Sequence, residues 1–135
     1  MENATQTAGV SKGALWTGRI ISGVIVLFLV FDGVTKVMKE SHVLTAAAHL
    51  GYTAASMVPI GATLLVCTLL YVIPRTSILG AILLTAYLGG AVATHVRVGD
   101  PMFERCFAIT FGVLVWGGLY LRDKSVRALI PLRSQ

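Results

Sequence analysis

Asp32 and Lys36 stand four residues apart within a long apolar run, with the acid first, the order that favours a helical ion pair. His95 and Arg97 close a later apolar run, and His49 lies in the polar stretch between the first two runs. Residues of these types could bind a polar head group or pass a proton. A self-satisfied Asp32–Lys36 pair that only fixes a helix end is the plain alternative. Catalytic residues cannot be assigned: no nucleophile elbow, phosphate loop or pair of catalytic carboxylates is present. His42, His49 and His95 lack a specific metal-ligand spacing, so no metal site is assigned. Cys67 and Cys106 form no Cys-x-x-Cys pair and fall at different depths of their apolar runs, which disfavours a thiol redox centre.

The elements that must position these residues are set by composition. Of 135 residues 56% are hydrophobic and only 13% charged, with a mean hydropathy of +0.80. Soluble domains carry about 25% charged residues, and a short chain has no large core in which to hide such a surplus. Four stretches, at about 14–38, 55–73, 76–94 and 103–121, are long and apolar enough to span a bilayer as helices. Runs such as 78–84 do not alternate as barrel strands would. The expected fold is therefore all-α, an integral membrane bundle of four transmembrane helices in one membrane domain. Residues 1–12 form a polar tail and 122–135 a basic tail.

Basic residues favour the cytoplasmic face. Lys12, Arg19, Arg75, Arg122, Lys124, Arg127 and Arg133 gather on one side of the four spans, while Lys36, Lys39, Arg97 and Arg105 on the other are balanced by Asp32, Glu40, Asp100 and Glu104. Both termini are expected in the cytoplasm. The net charge of +5 is then an anchor against anionic lipid, and no nucleic-acid partner is needed to explain it. The tail at 123–130 reads as a short surface helix with Val126, Leu129 and Ile130 toward lipid.

Pro74-Arg75 joins spans two and three as a tight hairpin. Between spans one and two, Ser41 can cap a short interfacial helix that Gly51 ends, with Val43, Ala47 and Leu50 on one face. Ala86 with Gly90, and Gly89 with Ala93, make span three the expected centre of helix packing. Gly18, Ser22 and Gly117-Gly118 offer the same closeness on spans one and four.

Several short pieces carry a resemblance. They are Arg19, Gly33-Val34-Thr35-Lys36, Leu50-Gly51-Tyr52, Ala91-Val92-Ala93-Thr94-His95 and Gly99-Asp100. In this order and spacing, over residues 16–121, the chain resembles the DoxX-like family of small four-helix membrane proteins. It departs from the family at Thr53, where relatives often carry proline, and in the extra acid Asp32. The resemblance implies a four-helix bundle, polar positions gathered at one end, and a bacterial inner membrane. Some relatives are similar to the DoxD subunit of thiosulfate:quinone oxidoreductase, and domains that handle sterols or vitamin K look distantly related.

The expected function is a non-catalytic subunit or binding protein holding a quinone- or isoprenoid-like ligand near the outer end of the bundle. The ligand site would draw on Asp32, Lys36, His49, His95 and Arg97. Quinone is the one cofactor the resemblance suggests. The alternatives are a subunit of a quinone-linked oxidoreductase, a small proton-coupled transporter, and a structural subunit of a larger complex or homo-oligomer.

Overall fold

The computed structural model describes residues 11–129. The remainder of the two predicted tails, with Ile130 and Arg133, lies outside the described residues. The described chain is helical, with no strand: α1 (Lys12–Val37), α2 (Ser41–His49), α3 (Ala54–Val72), α4 (Ser77–Val98), α5 (Met102–Arg122) and α6 (Lys124–Leu129). Four of these are long and apolar enough to cross a membrane, so the chain is a multi-pass membrane protein.

Local chemistry sets the helix ends. Ser11 caps α1 by accepting from the Ala14 N–H at 3.2 Å. The chain then turns through Lys39, a non-glycine residue at φ 54°. The cap of α2 is Glu40 and not Ser41: its carboxylate accepts from the backbone N–H of both His42 and Val43, reach that a serine hydroxyl lacks. Gly51, at φ 84°, closes α2, and Thr53 caps α3. A 3-10 turn, Pro74–Thr76, reverses the chain into α4. That helix runs to Val98 because the first left-handed residue is Gly99, at φ 76°, which places His95 and Arg97 in its last turn.

The spans pack as a ring, α1 on α3, α3 on α4, α4 on α5 and α5 back on α1. Ile25 and Leu29 of α1, Leu64 of α3, Leu84 of α4, and Val115 and Leu119 of α5 fill its axis. Large apolar side chains such as Leu27, Phe31, Phe103 and Val113 point outward, more than 60% exposed. In water such a surface would aggregate; in a bilayer it is the solvated face.

The closest helix approaches lie away from the predicted centre on α4. Gly89 and Gly90 have nothing within 4 Å of where a Cβ would sit. A Cβ on Gly18 would lie 2.7 Å from the Gly118 carbonyl oxygen, one on Gly61 2.7 Å from that of Gly33, and one on Gly80 would overlap the Tyr71 backbone. The tight seams are thus α1–α5, α1–α3 and the α3–α4 hairpin. The α4 spacing misleads because a membrane helix carries small residues on several faces, and only tertiary packing selects one.

The α6 segment also differs from expectation. Val126 is 1% exposed, packed into the core cluster, while Leu129 faces outward. Arg127 folds back to donate to the Tyr120 and Leu121 carbonyls at 2.8 and 3.1 Å, satisfying free carbonyls near the end of α5. These contacts roll α6 against the bundle.

Candidate functional site

Polar groups gather at both ends of the bundle, in different ways. At the Arg122 end they serve one another. The Tyr71 hydroxyl, wholly buried, donates to the Val115 carbonyl at 2.7 Å and lies 3.1 Å from Ser22 Oγ. Arg122 Nε donates to Ser22 Oγ at 3.0 Å, and its guanidinium lies over the Tyr71 ring at 5.2 Å. This network is closed and occupies the space between α1, α3 and α5.

At the other end the helices part around a cavity of about 680 Å³, within the range of small-molecule sites. Its walls are apolar and aromatic. Phe28 of α1 stacks with Phe107 and Phe111 of α5, the rings 4.7 to 5.9 Å apart, and Met57 and Leu88 complete the sides. Val43 and Ala47 of α2 with Leu50, its C-cap, the face expected from sequence, form part of the lining.

The five residues singled out by sequence divide into two groups. Asp32, Lys36 and His95 line the cavity. The i,i+4 ion pair between Lys36 Nζ and Asp32 Oδ2 is formed, with both side chains partly buried. His49 and Arg97 instead fasten α2. Arg97 Nη2 donates to the Leu50 carbonyl at 2.6 Å, where Gly51 leaves room beside the guanidinium. His49 Nε2 donates to Asp100 Oδ1 at 2.5 Å.

Asp100 is the hub of this end. It is 8% exposed, and its second oxygen accepts from His95 Nδ1, also at 2.5 Å. One carboxylate thereby ties α2 to the last turn of α4. The hydrogen bond from His49, and next that from His95, hold the Asp100 carboxyl below its ordinary range. Tyr52, following Gly51, adds a hydroxyl contact to Thr94 Oγ1 at 3.1 Å. At the far end of α2, the His42 ring and the capped N–H groups pull Glu40 down to about 2. Among the described residues, no three His, Cys, Asp or Glu side chains gather as a metal would require.

Two acids at this end are not among the five site candidates. Asp100 reads as the middle of a Gly-Asp-Pro turn, and its partners lie 51 and five residues away. Glu104 enters the sequence only as one of the acids that balance the basic residues of that face, and it lies in the first turn of α5. In the structure it lines the cavity, and its Oε2 is shut off from solvent without a hydrogen-bond partner. A native buried polar atom left in that state calls for an explanation. A second, larger groove of about 830 Å³ lies between α4 and α5. It is open and almost wholly apolar, bounded by Gly89, Val92, Gly112 and Val113, and holds none of these polar groups.

A family model, that of the DoxX-like family, matches residues 20–118. No curated protein and no solved structure matches the chain.

Proposed function

Because the chain belongs to the DoxX-like family, we propose that it is a non-catalytic membrane binding protein or subunit that holds a lipophilic ligand, quinone- or isoprenoid-like, in the cavity beneath α2. The observation that carries this reading is the cavity itself: about 680 Å³ of apolar and aromatic wall with Asp32, Lys36 and His95 set into it. An apolar body is accommodated by the walls, and a few fixed polar groups orient a head. The bundle axis elsewhere is filled by close-packed side chains, so the opening is local to this end. The charge asymmetry supports an orientation with both termini cytoplasmic and the cavity toward the outer face, and family membership supports a bacterial inner-membrane setting.

The test is native mass spectrometry of protein extracted gently from its own membranes. An adduct of lipid or quinone mass is expected on the native chain, with lower occupancy in Asp32→Ala and His95→Ala. A bare mass, unchanged across the three proteins, would count against the reading.

A further inference from the structure

The polar groups around the cavity are unevenly matched. Lys36 is the one ammonium on its wall, and Asp32 engages it. His95 donates through Nδ1 to Asp100, so in the neutral ring Nε2 carries the lone pair. The Tyr52 hydroxyl is directed at Thr94, whose own proton goes to the Gly90 carbonyl. Glu104 has neither an ion-pair partner nor a hydrogen bond to Oε2 among the described residues. Rotation about its last side-chain torsion is broad and exchanges the two carboxyl oxygens, so either can be turned to the cavity. Lys36 keeps two N–H donors that Asp32 does not take, and Arg105 Nε, outside the cavity lining, is also buried without a partner, but neither cation pairs with Glu104. Among the described residues the acceptor left buried and unmatched on the wall is the Glu104 oxygen.

We propose that the head of the bound ligand is a hydrogen-bond donor, an alcohol or an amine, which Glu104 accepts. The proposal rests on the preceding reading of the cavity as a lipophilic-ligand site and narrows its occupant. To the carboxylate form of Glu104, a head that only accepts, such as a ketone, an ester or an ether, offers no proton and leaves the oxygen buried and unpaired, which is the costly state. Within quinone-like molecules the same argument selects the quinol, which donates, over the quinone, which does not. Discrimination of this kind is strong because a site built to pair with a hydroxyl penalises the analogue lacking it.

The full chain in lipid nanodiscs would be titrated calorimetrically with farnesol, farnesyl methyl ether and farnesylamine, with uptake by empty nanodiscs subtracted. Farnesol is expected to bind at least about tenfold more tightly than its methyl ether. Tighter binding of the amine than the alcohol would assign an ammonium head, and the reverse a hydroxyl; either order with the ether weakest supports the proposal. Glu104→Gln adds an N–H donor that can pair with the ether oxygen and should narrow the alcohol's advantage, while Glu104→Leu, with no polar atom, should abolish it. The comparison of alcohol with ether on the unaltered protein needs no variant to fold. Equal affinity for alcohol and ether there would overturn the donor head and leave the lipophilic site standing. Failure of all three to bind would overturn the site as well.

Discussion

The two ends of the bundle use the same kinds of residue to opposite effect. At the Arg122 end, Tyr71, Ser22 and Arg122 close on each other and on a backbone carbonyl, with glycines at 18 and 118 letting α1 and α5 touch. At the Asp100 end the helices stand apart, α2 contributes to the lining, and Glu104 retains an unpaired oxygen. A polar residue in a membrane bundle is thus not in itself a sign of function. Satisfaction separates the cases: the closed end has spent its hydrogen bonds on structure, and the open end holds some back beside a cavity.

The sharpest way to break this contrast is to add one methyl group to each end. Gly80→Ala drives a Cβ into the Tyr71 backbone and should cost about 3 kcal/mol or more, seen as a large fall in the thermal midpoint in detergent. Gly90→Ala, beside the cavity with nothing within 4 Å, should stay within about 0.5 kcal/mol of the parent. Equal losses would mean that the open end is as tightly packed as the closed one. Removing one hydroxyl from each end is milder. Tyr71→Phe strips the Val115 carbonyl and Ser22 of a buried partner and should cost about 1–3 kcal/mol, while Tyr52→Phe, at a more exposed contact, should cost less than about 1 kcal/mol. Chemical denaturation of the two variants side by side would measure the difference.

Asp100→Asn loosens the tie between α2 and the last turn of α4. An amide cannot accept from His49 and His95 on both of its heavy atoms, as the carboxylate does. Hydrogen exchange in α2 should quicken several-fold while α1, α3 and α5 remain protected; uniform quickening would deny α2 its separateness. Acid gives the smallest and most graded effect. Glu40 is depressed from 4.5 to about 2, and Asp100 is also lowered. A carboxyl with a lowered folded pKa stabilises fully above its unfolded value, and that contribution fades as pH falls toward the folded one. Protection of α2 against exchange, taken relative to the intrinsic rate at each pH, should therefore be flat above about pH 5 and fall from about 4.5 downward. The Tyr71–Ser22–Arg122 contacts, which contain no acid, should not follow it.

The four spans were legible because hydropathy over some twenty residues outweighs any local detail. The Asp32–Lys36 pair was legible too, since both partners lie on one helix at a spacing that fixes their meeting. So was the turn at Gly51, whose φ of 84° suits glycine. What escaped the sequence is what depends on partners far along the chain. Asp100 looks like a turn residue until α2 brings His49 to it. Val126 looks like a lipid-facing residue until Arg127 fastens α6 beneath α5. Arg97 and His49 were grouped with the ligand site by their types and shared end, yet their side chains reach α2's carbonyl and its tether to Asp100. Residue type gave the right neighbourhood in these cases, and only the geometry divided the work within it.

The seam between α1 and α5 joins the outermost two of the four described spans: Arg122 meets Ser22 across 100 positions. During synthesis the first helix therefore enters the membrane long before its partner exists. The α3–α4 hairpin can form as soon as it emerges, held at Gly80. The ring cannot close until α5 arrives, and Tyr71 waits with it for the Val115 carbonyl. A chain that stops before residue 115 leaves in the bilayer an open arc of helices whose Tyr71 hydroxyl lacks the Val115 acceptor.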